Sequence, residues 1–135
     1  MSLMQIDGEN WGQPPPDAPP HVQDCFRLRR VPLDKLDVEG LRMLLGQGIG
    51  VEHLMPLAIE KLERDPLAKG YHFDGDLLCN VLRVGSSYFS TCTDARQRVL
   101  AVIDAARKQV GRLDPIDTKY TAAELERAVA EFERR

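Results

Sequence analysis

Apolar residues along this chain recur at the three-and-four spacing of amphipathic helices, and the strict alternation of strands is nearly absent, save in the short run CFRLRRV. Asp37 is a predicted N-cap for a helix with Val38, Leu41, Leu44 and Leu45 on one stripe, ending at Gly46. A second helix is predicted from about Val51 to Asp65, with Val51, Leu54, Met55, Ala58 and Leu62 facing inward. Pro56 lies near its first turn and implies either a start at about His53 or a kink, and Asp65-Pro66 ends the helix because a residue before proline is pushed out of the α region. Asp74 then reads as the N-cap of a third helix carrying Leu77, Leu78, Val81 and Leu82, stopped by Gly85. Thr91 or Thr93 opens a long helix to about Val110, with Ala95, Val99, Val102, Ile103, Ala106 and Val110 inward and Gly111 as its stop. A capping box from Thr121 to Glu124 starts the last helix, whose inward residues are Leu125, Ala128, Val129 and Phe132. The expected fold is all-α, a compact bundle of about five helices without internal repeats.

The first 24 residues break this pattern. Five of the nine prolines (Pro14, Pro15, Pro16, Pro19, Pro20) fall in seven positions, which predicts a flexible, polyproline-like arm at residues 1–24 ahead of a single helical domain at 25–135. Trp11 is expected to dock the arm loosely on the body. The start MSLM reads as an expression leftover before a native Met4, so residues 1–3 are set aside.

Composition narrows the class without naming a function. A chain of 135 residues has room for one core and buries roughly 65% of its unfolded surface. Hydrophobic residues at 43% and charged ones at 29% are an ordinary globular balance. There is no apolar run of about 20 residues and no signal core, so a cytoplasmic protein without membrane contact is expected. Three widely spaced cysteines, Cys25, Cys79 and Cys92, suit free thiols in a reducing compartment.

Charge is unevenly spread. Residues 51–76 hold six acids against three bases, giving −3, whereas residues 77–111 hold five bases against two acids, giving +3. The second helix and its exit loop thus form an acidic side suited to steering a basic partner, or simply a solvated face. Candidate chemistry is sparse. The string His72, Asp74, Asp76 contains ligand and acid/base residue types, but no second cluster completes a site and Asp74 already has work as an N-cap. Cys79 sits in an apolar stripe, and His53 beside Glu52 has no nucleophile partner. GQGIG lacks the spacing of a phosphate loop, and the basic run RLRRV does not offset the acidic total, which disfavours nucleic acid. Neither an enzyme nor a metal or other cofactor is expected.

One ordered set of elements is more specific. A leucine-rich helix leads into Gly46-Gln47-Gly48-Ile49-Gly50, then Met55-Pro56-Leu57-Ala58, an acidic exit at Asp65-Pro66, and Gly75-Asp76-Leu77-Leu78. Over Val31 to Val84, about two-fifths of the chain, this run resembles the bacterial contact-dependent growth inhibition immunity proteins. The resemblance implies a non-enzymatic cytoplasmic antidote that binds the toxic C-terminal domain of a cognate effector. It also implies Gln47, Glu60, Glu63, Asp65, Asp74 and Asp76 as partner-facing positions. Gly46 then ends one helix in the left-handed conformation and Gly50 sets the turn into the next, with Pro56, Pro66 and Gly75 as further structural marks. The competing expectation is a small helical adaptor that acts by protein–protein contact without neutralising a toxin.

Overall fold

The computed structural model describes residues 1–8 and 12–133; Trp11, expected to dock the N-terminal segment, lies outside the described residues. Among them there are eight α-helices and no strand: α1 (Leu3–Asp7), α2 (Pro20–Leu28), α3 (Val38–Gly46), α4 (Val51–Arg64), α5 (Asp76–Val84), α6 (Ser86–Thr91), α7 (Thr93–Val110) and α8 (Pro115–Glu133). The all-α expectation holds, and the number of helices is larger than the expected five or so.

The additional helices have identifiable local causes. The first is α1, which closes a capping box, with the Gln5 N–H donating to Ser2 Oγ and the Ser2 N–H donating to Gln5 Oε1. Residues 1–3, set aside as a leftover, take part in packing: Leu3 is buried against Gly50, and the Met4 N–H donates to the Arg29 carbonyl. Helix α2 starts at Pro20, where the missing N–H costs nothing, and it absorbs CFRLRRV's first residues; Cys25 and Leu28 face inward at helical, not alternating, spacing. Gln13 and Pro14 from the proline-rich stretch share a surface cleft with Phe26, Arg27 and Arg30 of the α2 region.

Helix α5 is the centre of the bundle, packed against α3, α4, α6 and α8. Leu77, Leu78, Cys79, Val81 and Leu82 are all buried, so it is apolar on most of its circumference, as a helix enclosed by others must be. Two half-buried polar residues of α5 have partners: Asn80 donates to the Arg42 carbonyl at 2.9 Å, and Arg83 lies 3.6 Å from both Glu124 and Glu131. Helix α7 packs against α4, α6 and α8 through the predicted stripe, with Ala95, Val99, Val102, Ile103, Ala106 and Val110 all buried.

Helix α4 begins at Val51, as expected, and not at His53; it runs through Pro56, forgoing one bond at the turn between Glu52 and Pro56, both exposed. Two other boundaries differ from expectation. Helix α8 begins at Pro115, six residues before the predicted capping box, because Asp114 caps it by accepting from the Asp117 N–H at 3.0 Å; Thr121 is a buried mid-helix residue. Gly46 is the last helical residue of α3 and not its left-handed terminator. That conformation falls at Gly48 and at Gly50, with φ of 71° and 63°. The expected role of Gly50 as the turn into α4 stands, and Gly46 is small because a Cβ there would sit 2.9 Å from the Asn80 amide.

Candidate partner interface

The irregular segment 65–75 joins α4 to α5, and its tip is held by a buried polar cluster. Asp76, the first residue of α5, is only 3% exposed. Its carboxylate accepts from the backbone N–H groups of Gly70 at 2.7 Å, His72 at 3.0 Å and Phe73 at 3.4 Å. The remaining N–H of this run, on Tyr71, donates to Glu39 of α3 at 2.9 Å. Four successive loop amides are thus taken up by two carboxylates. Arg42 neutralises both, donating to Glu39 through Nε at 2.6 Å and Nη2 at 2.7 Å and lying 3.7 Å from Asp76. Gly70 is where the two carboxylates close on the chain: a Cβ there would meet Glu39 Oε1 at 2.5 Å and Asp76 Oδ2 at 3.0 Å.

The electrostatics follow from this geometry. The Arg42 hydrogen bonds hold the Glu39 carboxyl below the usual carboxylate range, against its burial, and the Tyr71 N–H adds to the effect. Arg42 is raised in turn, chiefly by Glu39. Asp76 therefore does not cap α5 from outside, nor does Asp74: the N-cap is Gly75, at φ 90°, with no side-chain bond. The expectation that Asp74 caps this helix is corrected by the buried role of Asp76, whose three amide bonds fix the loop directly into the helix start.

What the clamped loop presents is aromatic. Tyr71 is 82% exposed, and Phe73 packs edge-on against Tyr120 of α8 with ring centroids 5.2 Å apart. Tyr120 is itself 55% exposed and Ile116, one turn before it, 82% exposed. On the α8 side, Asp65 and Asp74 line one cleft of about 300 Å³ with Leu67, Lys69, Arg112 and Leu113. Asp114 and Asp117 stand next to it at the start of α8, where the Asp117 carboxyl is raised by sharing a hydrogen bond with Asp114. On the α3 side, Gln47 lies in a cleft of about 410 Å³ with Met43, Tyr71 and His72.

The six positions singled out from sequence thus fall in three places. Gln47 flanks the loop on one side, and Asp65 and Asp74 flank it on the other. Asp76 is buried beneath it and faces no partner, because both its oxygens are committed to the loop. Glu60 and Glu63 lie apart on the outer face of α4, each with an intramolecular arginine: Arg64 at 2.8 Å for Glu60, and a two-pronged contact from Arg98 for Glu63. Sequence reasoning did not single out Glu39, Arg42, Gly70, Tyr71, Ile116 or Tyr120. Glu39 and Arg42 carry the i, i+3 signature of a helical ion pair, but their service to a loop more than thirty residues away has no local signal. Ile116 and Tyr120 were hidden by the late start assigned to α8.

The string His72, Asp74, Asp76 does not converge, and among the described residues no three His, Cys, Asp or Glu side chains are placed to hold a metal ion. Cys79 is sealed in the core, its thiol pushed up to about 12 by burial. No described helix is long and apolar enough to cross a membrane.

These features define a helical protein whose polar investment goes into shaping a surface. The chain belongs to the family of CDI immunity proteins, the immunity partners of contact-dependent growth inhibition, whose pattern matches residues 5–99. That span takes in α2 to α6, the clamp and the loop. Comparison with curated proteins finds no match.

Proposed function

We propose that this protein binds the C-terminal toxin domain of a cognate contact-dependent growth inhibition effector and neutralises it by occlusion, acting in the cytoplasm without catalysis. Family membership over residues 5–99 is the observation that carries this reading. The fold supports it: a single core behind an irregular loop with a fixed backbone is a pre-organised binding surface, which keeps the ordering cost of association low. Gln47, Asp65 and Asp74 flank that loop and are assigned to the contact surface; Glu60 and Glu63 are peripheral charges that steer encounter. An interface of ordinary size, about 800 Å² per partner, is within reach of a molecule of this area.

The test is protection in cells. Cells expressing the toxin domain of the effector encoded beside this protein stop growing, and co-expression of this protein restores growth in proportion to its level. Growth arrest that persists at equal or greater immunity-protein levels contradicts the reading.

A further inference from the structure

Burying two carboxylates and a guanidinium to fix one short loop is a poor way to gain stability, since desolvation offsets most of the attraction. It is an effective way to fix geometry, because a fully satisfied polar network admits one arrangement. The residue whose position this clamp defines most directly is Tyr71, whose N–H is bonded to Glu39 while its side chain is 82% exposed. Tyrosine loses little rotamer freedom on burial and offers a large apolar body with a polar tip, the properties of interface anchors.

We propose that Tyr71 is the central anchor of the toxin-binding surface, its ring entering an apolar pocket of the toxin domain while the clamp of Glu39, Arg42 and Asp76 holds it in the bound orientation. This rests on the immunity reading and specifies where it acts. Phe73, Tyr120 and Ile116 continue the apolar surface from the loop onto α8. The cleft and the 111–117 turn beside them carry four carboxylates, Asp65, Asp74, Asp114 and Asp117, against two cations, Lys69 and Arg112. The partner that fits is a globular domain whose apolar pocket is rimmed by lysine or arginine. The loop lies inside the span shared with the family, and α8 begins beyond it. The clamp and its loop thus fall within the stretch that matches the family, and the α8 residues Ile116 and Tyr120 fall outside it.

The experiment is calorimetric titration of the neighbouring effector's toxin domain into wild type, Tyr71→Ala and Glu39→Gln. Tyr71→Ala removes an exposed ring and leaves the thermal midpoint unchanged, while affinity falls by about 30-fold or more, the scale of an interface hot spot. Glu39→Gln retains the ring but loosens the loop: affinity falls, and amide exchange at residues 70–73 speeds up. If wild type binds tightly and Tyr71→Ala binds within about twofold of it, the anchor assignment is overturned and the immunity reading stands. If wild type fails to bind, both are overturned.

Discussion

The backbone N–H of Tyr71 donates to the carboxylate of Glu39, 32 residues earlier in the chain, at 2.9 Å. This bond ties the exposed loop to α3, and Arg42 keeps its acceptor ionised. Its consequences can be measured without a partner.

Acid should release the loop before the bundle. The Glu39 carboxyl is lowered in the folded protein relative to an ordinary value of about 4.3, so its contribution is fully present above that pH and lost as pH falls through the lowered value. Amide exchange at Tyr71, corrected for the intrinsic rate, is expected to accelerate below about pH 4 while the α5 amides stay protected. Glu39→Gln should abolish this acid transition.

Removing the cation should cost more than removing an ordinary ion pair. Arg42→Met leaves Glu39 and Asp76 buried without a counter-charge, and urea unfolding is expected to show a loss of about 3–5 kcal/mol. A loss below about 1 kcal/mol would mean that the cluster is solvated and does not hold the loop.

The outer face of α4 should behave differently. Arg98 lowers the Glu63 carboxyl by direct hydrogen bonds, but the pair is on the surface and open to salt. A double-mutant cycle with Glu63→Gln and Arg98→Gln is expected to give a small coupling that shrinks as salt is raised.

Thiol reactivity reports on the core. Cys25 and Cys79 are buried with their thiols raised, and Cys92 is half-buried between α6 and α7. With a thiol reagent at pH 8, one cysteine, Cys92, is expected to react in the native protein and three in denaturant. Fast native reaction of Cys79 would contradict the packing of α5.

Much of the bundle was legible because burial follows periodicity. Leu54, Met55, Ala58 and Leu62 of α4, and the six inward residues of α7, were readable from spacing alone and are buried. The start of α4 at Val51 was readable despite Pro56 in its second turn, whereas α8 was misread because a good capping box at Thr121 masked the true cap at Asp114. Gln47 and Asp65, both exposed, and Asp74, half-buried, drew notice as polar residues near a helix boundary, and they lie beside the loop. The clamp was not, because the bonds from Glu39 and Asp76 to loop amides depend on how α3 and α5 pack, a relationship with no periodic trace in the sequence.

The central claim is that this family member neutralises its toxin by direct binding. Isothermal titration of the purified protein with the neighbouring effector's C-terminal toxin domain tests it most directly. A one-to-one complex of nanomolar affinity or tighter, about −12 kcal/mol, is the predicted result. Absence of binding at concentrations of about 100 μM, with both proteins folded and the toxin active, would contradict it.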